Sequence, residues 1–210
     1  MITLHHLNKS RSKRIIWLLE ELGVDYKVAA YQRDSETFLA PPELRAIHPL
    51  GKSPVIEDDG MVIAESGAIT EYLINKFAAD KLAPAIGSKE YIEYSQWLHF
   101  AESSAILPLL LRIFVDMDGC ETNFMSDYAN TEIGKVISYF DAELAGKRYL
   151  VADKLTGADI MMSFIVEQLT LSGALANYPN IARYADLLNS HDSLLKAHEI
   201  EAKHDASVAA

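Results

Sequence analysis

The sequence predicts a small mixed α/β domain over residues 1–79, a linker over 80–88 and an all-α domain over 89–210. Three observations carry that prediction. Strand-like and helix-like segments alternate through the first third of the chain. A stretch holding Pro84 and Gly87 then breaks the pattern. Beyond it, apolar residues recur only at helical spacing.

The elements follow in order. Residues 2–7 are a short β-rich run. Residues 10–23 place Ile15, Ile16, Leu18, Leu19 and Leu22 on one helical stripe and stop at Gly23. Residues 26–31 form a second strand, so a crossover helix joins a parallel pair. Residues 55–64 read as a hairpin, because Asp59-Gly60 is a tight-turn pair between two apolar runs. Residues 66–77 are again helical. In the second domain, residues 90–116 make one long helix with a bend expected at Pro108. Helices follow over 123–144, 156–176, 179–189 and 193–198, the third apolar on nearly every side and therefore buried.

Composition narrows the function. A net charge of −11 opposes binding to phosphate backbones, so nucleic acid is not an expected partner. The single cysteine, Cys120, excludes an internal disulfide and a CxxC redox or zinc pair. No metal site is expected: His5 and His6 would point to opposite faces of a strand, and His191, His198 and His204 lack partners at ligand spacing. The first residues lack a basic segment followed by an apolar one, and no uninterrupted apolar run has bilayer-spanning length, so a soluble cytoplasmic protein is expected. No GxGxxG or GxxxxGK[ST] loop is present.

Four stretches hold chemistry or its structural counterpart. Lys9, Arg11, Lys13 and Arg14 crowd the start of the first helix while Glu20 and Glu21 sit at its end, the reverse of what the helix dipole favours. Such a start suits an anion or a developing thiolate. Ser10 and Ser12 lie in it, and Ser10 serves equally as an N-cap. Pro54 opens an apolar run, as an edge-strand proline or as a cis turn that directs the Ser53 and Val55 backbone toward an extended ligand. Glu65-Ser66-Gly67 opens a helix, with Ser66 as a cap or as part of a carboxylate site. Thr156 and Asp159 match a capping box, which is structural.

Taken together, SRSKRIIWLLEELGVDY, GKSPVIEDDG, ESGAITEYL and LTGADI resemble the cytosolic glutathione transferase family in order and spacing along nearly the whole chain, closest to a subgroup of bacterial and fungal enzymes. The resemblance implies a thioredoxin-like N-terminal domain, an all-α C-terminal domain and a homodimer. It implies glutathione as co-substrate, held by Lys52, Ser53, Pro54, Val55, Glu65, Ser66 and Arg11. Ser10 is the implied thiolate donor, with Ser12 and Asn8 as alternatives, since Lys9 falls on the serine position of some classes. An apolar electrophile would lie near Trp97 and Phe100. The implied activity is conjugation of glutathione to small hydrophobic electrophiles, with peroxidase activity beside it. A non-catalytic glutathione-binding protein and a glutathione-dependent disulfide reductase are the rival readings.

Overall fold

The structure is a computed structural model that describes residues 1–205. The chain forms two compact units, Met1–Leu82 with the segment from Leu188 onward, and Ala83–Leu187.

The first unit holds a four-stranded sheet of order β2-β1-β3-β4, built from β1 (Ile2–Leu7), β2 (Tyr26–Tyr31), β3 (Val55–Asp58) and β4 (Met61–Ala64). β1 pairs parallel to β2, with Leu4 opposite Val28. It pairs antiparallel to β3, with Leu4 opposite Ile56. The β3–β4 turn carries Asp59 at φ 49° and Gly60 at φ 80°, the left-handed pair that a two-residue hairpin requires. Helices α1 (Ser12–Leu22), α2 (Leu44–Ile47) and α3 (Ser66–Phe77) complete the α/β part. α1 buries Ile15, Ile16, Trp17, Leu18 and Leu19 and ends on Gly23 in the left-handed conformation. Gly51 also has positive φ, and a Cβ there would sit 2.7 Å from Arg45 Cγ, so the turn before the site loop excludes larger residues.

The second unit is all helical: α4 (Lys89–Phe100), α5 (Ile106–Asp118), α6 (Met125–Glu143), α7 (Gly157–Leu171) and α8 (Pro179–Leu188). Ser88 caps α4 by accepting from Tyr91 N at 3.0 Å. Between α4 and α5, residues Ala101–Ala105 form a π turn. Pro108 explains it: without an N–H it leaves the Ser104 carbonyl without its α-helical donor, and the ladder widens there. Residues 89–118 are therefore one unbroken helical run, long and apolar enough by length and composition to cross a membrane, although only 28 % of its most apolar stretch is buried in the fold. The run is not continuously apolar in sequence, because Glu102, Arg112 and Asp116 are interspersed. α7 buries Ile160, Met161, Met162 and Ile165 completely, as its all-round apolar pattern predicts. It ends at Leu171, earlier than residue 176, because Gly173 turns left-handed before a short 3-10 segment.

The expected boundary needs one correction. The last helix, α9 (Asp192–His204), belongs to the sheet unit and not to the helical one. Its Leu194 and Ala197 are buried, Trp17 Nε1 donates to Ser193 Oγ at 3.0 Å, and Lys196 pairs with Glu20 at 2.5 Å. It also extends well beyond the predicted 193–198.

Candidate functional site

In the corner between β1 and α1, Asn8, Ser10 and Ser12 are buried, while Lys9 between them is exposed. Lys9 takes φ 52°, and α1 begins only at Ser12. Arg11, not Ser10, holds the N-cap position of α1 and makes no side-chain cap; Ser10, one residue earlier, accepts from Ser12 N at its Oγ at 3.2 Å. The Ser10 and Ser12 hydroxyls lie 2.7 Å apart, and Ser12 Oγ lies 2.7 Å from His6 Nδ1. His6 Nε2 in turn stands 3.2 Å from Glu201 Oε2 on α9, a contact at ion-pair distance but off the ring N–H axis. Burial pushes the His6 pKa down to about 4, helped by nearby His204 and Lys13 and opposed by Asp205, so the ring is neutral.

Asn8 has a scaffolding place. Its Nδ2 donates to Asp205 Oδ1 at 2.9 Å and its Oδ1 accepts from Arg33 N at 2.9 Å. Arg33 also donates to the Asn8 and Lys9 carbonyls, at 3.2 and 3.4 Å. Both ends of the Asn8 amide are thus engaged, and Ser12 has no exposed surface at all. Of the three candidate thiolate donors, Ser10 keeps the most surface, 6 %.

The loop before β3 has a cis Ser53–Pro54 bond. Ser53 Oγ accepts from Leu7 N at 3.1 Å and donates to His5 O at 2.8 Å. A side chain thus continues the β1–β3 ladder where the main chain turns away. Pro54 and Val55 are buried, while Lys52 is exposed beside them.

The entry to α3 completes this side. Glu65 occupies the N-cap position at φ 70°, ψ 118°, and its side chain makes no capping hydrogen bond. Ser66 is the first helical residue, which corrects its expected role as cap: its Oγ accepts from Arg14 Nη1 at 3.5 Å. Arg14 is itself 2 % exposed. A positive φ at a non-glycine residue, first-turn N–H groups without a side-chain cap, and a guanidinium behind them make a place for a carboxylate.

Other expected sites sort themselves. Trp97 and Phe100 meet edge to face at 5.1 Å and line a groove of about 600 Å³ with Ile92, Gln96 and Tyr139, all from the helical unit. Trp97 is 4 % exposed, so most of it is core. The Thr156–Asp159 capping box is formed. Asp159 further accepts from Leu150 N at 3.0 Å and Tyr184 OH at 2.7 Å. Cys120 is exposed, and its hydrogen bond to Asp118 raises its pKa, which keeps it a thiol. Among the described residues no His, Cys, Asp and Glu cluster could hold a metal.

Sequence reasoning overlooked His6, Arg14 and Glu201. Arg14 stands in the basic cluster and could have been picked from it. Nothing in the local pattern marks His6 as a neutral hub, or couples it to a glutamate at the far end of the chain.

Known proteins resemble this chain in sequence and fold. The family description "Glutathione S-transferase, N-terminal domain" matches residues 1–75, and "Glutathione S-transferase, C-terminal domain" matches residues 104–192. Glutathione S-transferase 3 of Schizosaccharomyces pombe is 35 % identical over 178 residues, 78 % of this chain and 72 % of that protein. Glutathione S-transferase 1 of Saccharomyces cerevisiae is 28 % identical over 95 % of this chain and 94 % of its own. The crystal structure of a glutathione S-transferase from Actinobacillus pleuropneumoniae gives a TM-score of 0.87 at 36 % identity, covering 100 % of this chain and 96 % of that one. A glutathione transferase homologue from Lodderomyces elongisporus, solved with two GSH per subunit, shares the fold at a TM-score of 0.83 and 22 % identity, over 95 % and 98 % of the two chains.

Proposed function

The chain belongs to the glutathione S-transferase family, and on that premise we propose that it binds glutathione on the sheet unit and transfers its thiolate to small hydrophobic electrophiles. The observation that carries this reading is the entry to α3. Glu65 and Ser66 offer N–H groups and a positive end to the γ-glutamyl carboxylate, with buried Arg14 behind Ser66. The Val55 backbone beside Pro54 takes the cysteinyl peptide group, with Ser53 holding the loop. Lys52 takes the glycyl carboxylate. The thiol lies at the start of α1, where Arg11 adds positive field and Ser10 donates to the sulfur. An apolar acceptor meets the aromatic groove through Phe100 and Tyr139, with Trp97 as its floor.

Two substitutions test this reading. Ser66→Ala removes one hydroxyl at the carboxylate site and is expected to weaken glutathione binding about tenfold, read by calorimetry. Ser10→Ala is expected to leave binding intact and raise the pKa of the bound thiol, read by thiolate absorbance. An unchanged pKa removes Ser10 from the mechanism. Burial of Ser10, Ser12 and Asn8 favours a second reading, a glutathione-binding protein without turnover. Retention on immobilised glutathione without turnover of aryl halides, hydroperoxides or mixed disulfides would establish it.

A further inference from the structure

We propose that the Lys9 ammonium is the counter-ion of the glutathione thiolate, a fixed charge at the head of α1 that acts beside the Ser10 hydroxyl. The inference rests on the proposed placement of the thiol at the start of α1. Its basis is the way the chain holds Lys9. The residue takes φ 52°, a strained region for a residue with a side chain. Two distant parts of the sheet unit fix that conformation. Lys9 N donates to Glu201 Oε1 on α9 at 3.0 Å, and Lys9 O accepts from Arg33 Nη2 at 3.4 Å. Arg33 clamps the preceding residue too, donating from Nε to Asn8 O at 3.2 Å and from its main-chain N to Asn8 Oδ1 at 2.9 Å. The main chain is thus held on both sides while the side chain stays exposed. Among the described residues, Lys9 Nζ makes no hydrogen bond and no ion pair.

The neutral donors of the same corner are placed differently. Ser10 Oγ accepts from Ser12 N at 3.2 Å and lies 2.7 Å from Ser12 Oγ. Ser12 Oγ donates to the Leu7 carbonyl at 3.2 Å and has no exposed surface. Asn8 Nδ2 donates to Asp205 Oδ1 at 2.9 Å. Of Asn8, Lys9, Ser10 and Ser12, only Lys9 reaches solvent freely.

Electrostatics favours an anion here. Burial, and after it the charge of Arg11, push the Arg33 pKa down, so the cations of this corner repel each other. The Arg33 guanidinium donates to three main-chain carbonyls, of Asn8, Lys9 and Phe38, and among the described residues to no carboxylate. The acids that approach from α9 and its end are drawn into the scaffold, Glu201 by Lys9 N and Asp205 by Asn8. A lysine ammonium is charged at neutral pH, and a positive charge beside a sulfur favours the thiolate over the thiol. Its hydrogen bond to an anion is about twice as strong as one between neutral groups. Lys9 supplies charge and takes no proton. The S–H bond ionises, the proton leaves to water and the sulfur keeps the electron pair. The thiolate then attacks the acceptor while the ammonium stays protonated.

The test is the thiol pKa of glutathione bound to the full-length protein, read from thiolate ultraviolet absorbance across a pH series. Lys9→Gln keeps a polar side chain and removes the charge, whereas Lys9→Arg keeps the charge. S-methylglutathione, which has no thiol to ionise, is the control ligand, and both affinities are measured by calorimetry. In Lys9→Gln the bound-thiol pKa is expected to rise by about one unit, an approximately tenfold loss of preference for the thiolate. Affinity for S-methylglutathione is expected to stay within about twofold of wild type. Lys9→Arg is expected to restore most of the shift, and added salt to raise the wild-type pKa more than that of Lys9→Gln. A wild-type thiol pKa in Lys9→Gln would overturn the role of Lys9. An equal loss of affinity for both ligands would overturn it as well, because the residue would then hold the tripeptide or the corner and not the sulfur. Failure of the wild type to bind either ligand would overturn the functional reading and this role with it, whereas normal binding with an unshifted pKa in Lys9→Gln overturns the role alone.

Discussion

His6 sets the acid limit of the sheet unit. In the unfolded chain a histidine titrates near 6.5, and in the fold this one titrates at about 4. A depressed pKa means that the unfolded state binds the proton first as the pH falls. Stability is therefore intact above pH 6.5 and declines as the pH drops toward 4, by on the order of 3 kcal/mol from this residue. Urea unfolding at pH 7 and at pH 4.5 measures the decline, and His6→Gln is expected to flatten that part of the profile while lowering the stability at pH 7. Glu65 is the second residue with a structural cost that packing does not require. Its positive φ places a non-glycine residue in a sparsely populated region at the mouth of a helix whose first turn has no side-chain cap.

At the scale of elements, α7 depends on one carboxylate. Asp159 accepts four hydrogen bonds, from Thr156 N and Oγ1, Leu150 N and Tyr184 OH, and so joins the start of α7 to the preceding loop and to α8. Burial pushes its pKa up, and these donors work against that shift. Asp159→Ala strands several buried donors and is expected to cost about 3 kcal/mol or more, read as a lower urea midpoint. The capping pattern was legible because it spans four residues of sequence, Thr156 to Asp159, and uses only local geometry. The α3 entry was half legible. The segment Glu65-Ser66-Gly67 announced a helix start, but which residue became the cap depended on Arg14, which arrives from α1 and occupies the Ser66 hydroxyl. At α1 the acidic C-terminal end, unfavourable by itself, is offset by partners that the sequence does not put nearby. Tyr26 donates to Glu20 at 2.7 Å, Lys196 pairs with Glu20, and Ser193 donates to Glu21.

For the whole molecule, the chain returns to its own beginning. α9 packs on α1, and Asp205 holds Asn8, so the sheet unit is assembled from both ends of the sequence. A chain stopped after Leu188 would uncover Trp17 and the His6 cluster. It is expected to lose cooperative unfolding in the sheet unit while the helical unit keeps its secondary structure, read by Trp fluorescence and circular dichroism. The sequence alone determined the strands, the hairpin turn, the crossover helix and the all-helical second part. Each of these is a local pattern of burial with a period of two or three to four residues, visible in any short window. Only the tertiary structure decided that α9 joins the first unit, that Ser12 and Asn8 are interior, and that His6 meets Glu201. Those contacts join residues separated by most of the chain, and their formation is governed by packing and loop closure, which leave no periodic trace in the segments they connect.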